Sequence, residues 1–145
     1  MRKVSRSALV PYRAEQMYAL VADVGAYPEF LPWCTGAEVH SQTANELRAS
    51  IGMGLGVLNT SFATRNELNP PRAMTMLLED GPFRSLEGRW VFDELGDSGC
   101  EVHLDVEFEF ESRATDLLLG AGFEKICNDL IDAFVKRAKD LYGDG

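Results

Sequence analysis

Hydrophobic and polar residues alternate most regularly over residues 100–111. Valine, leucine and phenylalanine occupy one set of positions, whereas acidic residues and His103 occupy the other. This period of two predicts an antiparallel strand with one buried face and one solvated, acidic face. Shorter segments of β type, separated by Gly, Pro, Asn and Asp, predict further strands: residues 4–10, 36–41, 46–53, 55–68, 73–79 and 84–94.

Two short helices are predicted between the first and second strands. Residues 13–22 are strong helix formers with apolar side chains at helical spacing. Asp23 stands where a side chain could cap a second helical turn through Phe30. Pro32 is expected to end that turn, because proline has no backbone N–H to donate.

The last segment predicts one helix of roughly 25–28 residues. Ser112 or Thr115 can accept a hydrogen bond from a free backbone N–H at its start. Gly120 and Gly122 interrupt its first half, although each costs about 1 kcal/mol relative to alanine, which indicates a close approach of the sheet or of a ligand. Apolar residues recur at helical spacing along the segment: Leu119, Phe123, Ile126, Leu130, Phe134 and Leu141.

The order of these elements predicts an α+β fold. One strand, two short helices and about six antiparallel strands precede the long helix. A helix that lies across the concave face of a bent sheet buries its apolar stripe and can leave a cavity beneath it. The chain shows no linker, repeat or low-complexity tract, so residues 1–145 are expected to form a single domain.

Charge and cysteine content restrict the partners and the compartment. The chain has 14 Lys and Arg against 23 Asp and Glu, for a net charge of −9. Such a chain is unsuited to general DNA binding, which needs a basic surface, and an anionic membrane would repel it unless its cations cluster. Three widely spaced cysteines suggest reduced thiols. With no signal peptide or membrane span in the sequence, a cytoplasmic protein is expected.

Nucleotide and metal motifs are absent from the sequence pattern. The glycines of residues 52–56 lack the G-x-G-x-x-G spacing and precede a strand, so they are expected to ease a hairpin or bulge. His40 and His103 lie on different predicted strands without Cys or carboxylate partners at ligand spacing, so no metal site is expected. The acidic row of residues 101–111 is more typical of a solvated face than of a catalytic pair.

Cys34 is the candidate nucleophile with the most suggestive surroundings. No sequence neighbour would lower its pKa, and a buried, inert thiol is the favoured interpretation. No catalytic pair or triad can be assembled around it. We therefore predict a protein without catalytic activity, and without a cofactor or metal.

Aromatic, methionine and aliphatic side chains predict an apolar cavity. Core packing explains any one of them, whereas together they suit a cavity for a flat or prenylated ligand. Phe110 and Phe134 belong to the same set, and Thr60, Thr64 and Asn66 are the few polar residues expected to face inward. The residues predicted to line the cavity are Tyr27, Phe30, Leu31, Trp33, Phe62, Met74, Met76, Leu78, Phe83, Leu86, Trp90, Phe92, Phe108, Phe123, Ile126 and Leu130.

Three segments resemble a known family. They are LVADVGAYPEFLPWC (residues 20–34), GPFRSLEGRW (residues 81–90) and EVHLDVEFEFESRATDLLL (residues 101–119) with the helix that follows. The combination resembles the coenzyme Q-binding, RatA-like START-domain group of the polyketide cyclase/dehydrase and lipid transport superfamily, SRPBCC. The matching positions are Tyr27, Pro28, Phe30, Leu31, Pro32, Trp33, Cys34, Gly81, Pro82, Phe83, Leu86, Gly88 and Trp90.

The resemblance implies a helix-grip, START/Bet v 1-like fold, in which six or seven strands curve around the C-terminal helix. It also implies non-enzymatic binding or transport of ubiquinone or a related isoprenoid lipid in an apolar tunnel, in support of respiratory electron transfer. This is our first hypothesis. The long N-terminal targeting extension of the mitochondrial members is absent, which favours a bacterial-type protein.

Two alternatives remain open. The bacterial branch of the family includes ribosome-association toxins, which implies binding to the large ribosomal subunit and a block of subunit association. An aromatase/cyclase-like enzyme on the same scaffold is the third hypothesis. The expected partners are therefore a hydrophobic small molecule, the large ribosomal subunit and, through transient peripheral contact, the inner membrane.

The stretch of residues 27–34 is predicted to form a rigid corner. Its two prolines restrict the backbone on either side of Phe30 and Leu31. Tyr27, Phe30 and Trp33 are then expected to face the mouth of the cavity beneath the long helix, as a lid.

Overall fold

Seven strands and two α-helices make up residues 1–143, the part of the chain that the computed structural model describes. A 3₁₀ helix, Val24–Glu29, follows the first α-helix. The two remaining C-terminal residues lie outside the described range. In chain order the elements are β1 (Arg2–Val10), α1 (Ala14–Ala22), β2 (Cys34–Gln42), β3 (Glu46–Leu55), β4 (Leu58–Asn69), β5 (Ala73–Asp80), β6 (Phe83–Leu95), β7 (Gly99–Phe110) and α2 (Arg113–Tyr142).

The strands form one antiparallel sheet in the order β1-β7-β6-β5-β4-β3-β2. The sheet curves around α2, which confirms the predicted α+β helix-grip architecture. The alternation of β7 is confirmed as well, because its apolar residues are buried and Asp105 and Glu107 are exposed. Every strand has an end that lies one to three residues from its predicted position. The largest difference is in β4, which begins at Leu58 rather than at residue 55, since residues 56–57 form the turn between β3 and β4.

The helices before β2 follow the prediction with two corrections. The 3₁₀ helix ends at Glu29 and is followed by Phe30 at its C-cap, so Pro32 does not end it. Met17 and Val21 of α1 are fully buried against the core. Asp23 does not cap the 3₁₀ helix with its side chain, so that prediction was wrong. Its backbone carbonyl instead accepts a hydrogen bond from the Ala26 amide at 3.1 Å.

The C-terminal helix α2 has 30 residues, slightly more than expected. The side chain of Ser112 caps its start by accepting a hydrogen bond from the Thr115 amide at 3.1 Å, as predicted. Leu141 is 53% exposed, which contradicts its predicted burial, because the last turn of the helix is exposed along its length. No helix within residues 1–143 is long and apolar enough to cross a membrane.

Gly120 allows the side chain of Arg2 to cross α2. A Cβ atom at Gly120 would lie 2.6–2.8 Å from the guanidinium atoms of Arg2. The guanidinium donates to Asp116 from Nε at 2.8 Å and from Nη2 at 3.0 Å, and to Glu124 from Nη1 at 3.0 Å. Asp116, Gly120 and Glu124 are spaced by four residues and share one helix face. The predicted close approach of the sheet thus occurs at Gly120 and ties β1 to α2.

Candidate functional site

A cavity lies between α2 and the inner face of the sheet. Its volume is about 70 Å³, well below the range of about 300–1,000 Å³ that is typical of small-molecule sites. The 3₁₀ helix, the corner before β2, five strands and α2 all contribute to it. Its lining residues are Val24, Tyr27, Trp33, Ile51, Phe62, Thr64, Asn66, Met76, Leu86, Trp90, Val106, Phe123, Ile126, Cys127, Leu130 and Phe134.

Nine of the sixteen residues predicted from the sequence line this cavity. They are Tyr27, Trp33, Phe62, Met76, Leu86, Trp90, Phe123, Ile126 and Leu130. The other seven contribute to the core or its margin without lining the cavity: Phe30, Leu31, Met74, Leu78, Phe83, Phe92 and Phe108. That the nine bind a ligand stays a prediction.

Seven lining residues were not among the sixteen named as lining, although Phe134 had been counted with the cavity-forming aromatic residues: Val24, Ile51, Thr64, Asn66, Val106, Cys127 and Phe134. The alternation of β7 marks Val106 as inward-facing, and helical spacing does the same for Phe134. Thr64 and Asn66 were expected to face inward but were not counted as ligand contacts. Cys127 follows Ile126 directly in α2. Two consecutive residues can both line the cavity, because the buried face of a packed helix spans more than one residue in each turn.

The L-x-G-x-W pattern of β6 has a steric explanation. Leu86, Gly88 and Trp90 point to the inner face, and the Met76 side chain of the paired strand β5 occupies the space above Gly88. A Cβ atom at residue 88 would lie 2.4 Å from Cε of Met76. The glycine therefore admits Met76 to the wall of the cavity between Leu86 and Trp90.

Five phenylalanines fill the interior on one side of the cavity, and we call them the phenylalanine cluster: Phe62, Phe83, Phe108, Phe110 and Phe123. The rings of Phe83 and Phe110 stack with centroids 4.6 Å apart. Phe123 of α2 meets Phe108 at 4.8 Å and Phe83 at 5.1 Å. Because these rings fill the space between sheet and helix, Phe83 and Phe108 serve as core residues.

The corner of residues 27–34 packs on the C-terminal half of α2. The rings of Tyr27 and Phe30 meet Phe134 edge-on, with centroids 5.5 and 5.3 Å apart. The Arg137 guanidinium lies 4.9 Å from the Phe30 ring centroid, and its Nη2 donates to Glu29 at 3.3 Å. Phe30 therefore does not face the cavity mouth as predicted, since this contact with α2 holds it outside.

Trp33 separates the cavity from a groove on the surface, together with Ile126. Both residues line the cavity and the groove, which has a volume of about 380 Å³. The corner, the turn between β3 and β4 and α2 enclose the groove. Its lining residues are Leu31, Pro32, Trp33, Gly54, Leu55, Gly56, Gly122, Lys125, Ile126, Asp129 and Ala133.

Thr64 and Asn66 give the cavity a polar patch on β4. Their exposed fractions are 4% and 3%, and no other polar or charged residue of the described range is buried to this degree. The Oδ1 atom of Asn66 has no hydrogen-bond partner within residues 1–143. Buried polar atoms in proteins are nearly always paired, so this atom calls for an explanation.

The thiols do not have the surroundings of nucleophiles. Burial raises the pKa of Cys34, whose Sγ donates to the carbonyl of Gly36 at 3.4 Å. Burial, with a smaller contribution from Glu124, raises the pKa of Cys127 to about 12. Because the thiolate is the reactive form, both groups are poor nucleophiles at neutral pH.

The acidic outer face contains one group that sequence spacing did not reveal. Nε2 of His103 lies 3.1 Å from Oε1 of Glu101 and 3.3 Å from Oδ2 of Asp93. The pairing of β6 with β7 places Asp93 opposite Glu101. The expectation that His103 has no carboxylate neighbours was therefore wrong, because Glu101 of the same strand and Asp93 of the adjacent strand both lie beside it.

Comparison with known proteins shows full-length relatives. The chain is 43% identical over 144 residues to the ribosome association toxin RatA of Vibrio cholerae, covering 99% of this chain and 100% of that protein. It is 42% identical to RatA of Pseudomonas aeruginosa, with 97% of each chain covered. A more distant relative, the mitochondrial coenzyme Q-binding protein COQ10 of Drosophila melanogaster, is 29% identical over 98% of this chain and 60% of that protein.

Solved structures share the fold. The 18 kDa protein CC1736 of Caulobacter crescentus is 32% identical, covers 99% of both chains and superimposes with a TM-score of 0.76. The Zhui aromatase/cyclase of Streptomyces, 17% identical over 95% of this chain and 93% of its own, has a TM-score of 0.80 and shows the fold alone. The family model for polyketide cyclase/dehydrase and lipid transport proteins matches residues 10–135. The chain therefore belongs to the polyketide cyclase/dehydrase and lipid transport family.

Proposed function

We propose that this protein associates with the ribosome, in the manner that the name of its RatA relatives describes. The observation that carries the proposal is the 43% identity to RatA of Vibrio cholerae over essentially the whole of both chains. A match of this extent leaves no additional domain in that relative to supply the ribosome contact. The role expected for the present chain is binding to the large subunit, so that the small subunit cannot join it.

The surface charge favours a protein contact on the ribosome over an RNA contact. The net charge is −9, and the outer face of β7 presents Asp105 and Glu107 to solvent. Such a face would repel RNA phosphates and attract cationic side chains. We therefore propose that basic ribosomal proteins form a large part of the binding site.

Sucrose-gradient sedimentation with purified ribosomal subunits tests the proposal. At low salt and with separated subunits, the protein should migrate with the large subunit and be absent from the small-subunit fractions. Raising the salt should weaken the association, because screening reduces attraction between charged surfaces. Protein that remains at the top of the gradient at low salt would refute ribosome association.

A second candidate function, binding of an apolar ligand, is favoured by the cavity itself. Its lining is aromatic and aliphatic apart from a few groups, and a groove lies directly outside Trp33 and Ile126. Ubiquinone or a related isoprenoid lipid, our first hypothesis from the sequence, is far larger than a cavity of about 70 Å³. Binding would therefore require Trp33 and Ile126 to separate and join the groove to the cavity.

Organic extraction of the purified protein followed by mass spectrometry tests this second function. A quinone or other isoprenoid lipid, recovered in proportion to the protein, would support it. An extract without lipid, combined with no uptake of quinone in a titration, would count against it. A role in respiration and transient contact with the inner membrane depend on this ligand binding. Both stay predictions, as does a cytoplasmic location.

A cyclase-type enzyme is the least supported of the three hypotheses. None of the sixteen residues that line the cavity is Asp, Glu, His, Lys or Arg. The ionisable groups present are Tyr27 and Cys127, and burial raises the pKa of both. General acid–base catalysis works best with a group whose pKa is near the working pH. We therefore propose a binding protein without turnover and without a cofactor.

A further inference from the structure

The Asn66 side chain is buried at a position where its hydrogen-bonding capacity is only partly used. Asn66 lies in the interior of the sheet, because β4 runs between β3 and β5. It is paired with Leu47 of β3 on one side and with Met76 of β5 on the other. The backbone is therefore fixed, and the side chain lines the cavity with an exposed fraction of 3%. In the described part of the chain its Oδ1 atom has no hydrogen-bond partner, although an unmade hydrogen bond at a buried acceptor is costly.

Asparagine is a poor choice for this position on structural grounds alone. It is depleted in β-strands, and leucine has the same number and branching of side-chain heavy atoms without burying a polar atom. Thr64, two residues earlier on the same face, lines the same cavity. Ligand sites typically combine apolar walls with a small number of polar groups that orient the ligand. The pair on β4 has this character.

We propose that Asn66, with Thr64, anchors the hydroxyl group of a neutral and otherwise apolar ligand. The unpartnered Oδ1 requires a hydrogen-bond donor, and a hydroxyl group can donate to it while accepting from Nδ2 or from the Thr64 hydroxyl. The ligand is neutral, because the lining offers no charged side chain to compensate a buried charge. A phenol, an alcohol or the reduced form of a quinone has this chemistry, whereas an oxidised quinone presents acceptors alone.

The surface groove beside Trp33 and Ile126 could hold the apolar part of such a ligand. Trp33 and Ile126 are the residues common to cavity and groove, so a chain that passes between them would leave the hydroxyl group at Asn66. Leu31, Leu55 and Ala133 line the groove and suit an alkyl or prenyl chain. This inference rests on the ligand-binding function proposed above and does not depend on ribosome association.

Two probes that differ in one group test the anchor. We would titrate the ¹⁵N-labelled full chain with 4-butylphenol and with 4-butyltoluene, in which a methyl group replaces the hydroxyl. The wild type should bind the phenol about tenfold more tightly, the factor expected from one additional hydrogen bond in an apolar site. The side-chain amide signals of Asn66 should shift with the phenol and much less with the toluene.

Three variants locate the preference. Asn66→Leu should bind both probes equally, whereas Asn59→Leu, a substitution at an exposed position of the same strand, should keep the wild-type preference. Thr64→Val, which is nearly isosteric, should reduce the preference, and it provides a second test if Asn66→Leu does not fold.

The outcomes separate the anchor from the ligand-binding function. Equal affinity of the wild type for both probes, or a phenol preference that survives in Asn66→Leu, would overturn the anchor and leave apolar binding intact. Binding of neither probe would overturn the ligand-binding function and the anchor with it.

Discussion

The two ends of the space beneath α2 are built from the same sheet and helix, yet one is solid and the other hollow. At one end the phenylalanine cluster fills the interior, with ring centroids as close as 4.6 Å. At the other, Trp90 and Phe134 line a cavity to whose wall Asn66 also contributes. Apolar composition alone therefore does not predict which end is filled. The hollow end differs in having the polar residues Thr64 and Asn66 on β4 and in sharing Trp33 and Ile126 with the outer groove.

The charged contacts between α2 and the rest of the protein also differ between the two ends. At the solid end Arg2 makes three hydrogen bonds, to Asp116 and Glu124. At the hollow end Arg137 makes a single bond to Glu29, at 3.3 Å, and lies over a phenylalanine ring. The ion pairs to α2 are therefore concentrated where it covers the phenylalanine cluster, whereas ring contacts of Tyr27, Phe30 and Trp90 with Phe134 hold it where it covers the cavity.

The largest effect is expected for Phe108→Ala at the solid end. Phe108 is fully buried and contacts Phe83, Phe110 and Phe123. Its truncation should lower the free energy of unfolding by about 3–5 kcal/mol, because it removes buried apolar area and leaves a cavity. Urea denaturation followed by circular dichroism measures this loss. A loss under 1 kcal/mol would mean that the cluster is not the rigid end.

Opening the hollow end should change access more than stability. Trp33→Ala removes part of the wall between groove and cavity, so a small thiol reagent should modify the buried Cys127 several times faster than in the wild type. Phe30→Ala is the matched control, because Phe30 packs outside the cavity on Phe134 and should affect stability without opening the wall. Peptide mass spectrometry after timed labelling measures the rate at Cys127. Equal rates of Cys127 modification in the two variants would mean that Trp33 does not close the access route to the cavity.

Replacing Asn66, whose Oδ1 atom is unpartnered within residues 1–143, should stabilise the ligand-free protein. Asn66→Leu removes a buried acceptor without a partner, and the free energy of unfolding should rise by about 1–3 kcal/mol. The melting temperature should rise by about 2–4 °C for each kcal/mol in a chain of this size. Differential scanning calorimetry of the ligand-free protein checks the sign. A clear decrease would show that Asn66 is a structural residue with a partner in solution.

The smallest effect concerns acid stability at the solid end. The hydrogen bonds from Arg2 lower the pKa of Asp116. Because the folded pKa is below the unfolded value of about 3.9, the contribution is complete above pH 4 to 5 and is lost as the pH falls through the folded pKa. Arg2→Ala should therefore be less stable than the wild type at pH 6, and the difference should shrink toward pH 3.

Urea denaturation between pH 3 and pH 7 measures this dependence. Arg6→Ala, which removes an exposed cation of the same strand, is the control and should show no comparable change with pH. A difference between Arg2→Ala and wild type that stays constant down to pH 3 would mean that Asp116 does not contribute through its charge.

Periodicity predicted the fold and about half of the cavity lining, because it reports which face of an element is buried. The alternation of β7 and the spacing along α2 identified the inner faces of both elements. Periodicity does not report depth, so Phe83 and Phe108 could not be told apart from Phe62 and Phe123. The contacts of Phe30 with Phe134 and of His103 with Asp93 depend on distant segments meeting, which no local pattern encodes.

Joining of ribosomal subunits provides the most direct test of the proposed function. Purified small and large subunits are mixed in the presence of Mg²⁺, and light scattering follows the formation of the whole ribosome. If the protein occupies the large subunit as proposed, prior incubation of that subunit with a stoichiometric amount should reduce the scattering increase, whereas incubation with the small subunit should be less effective. An unchanged amplitude and rate at a large excess of folded protein would contradict the account.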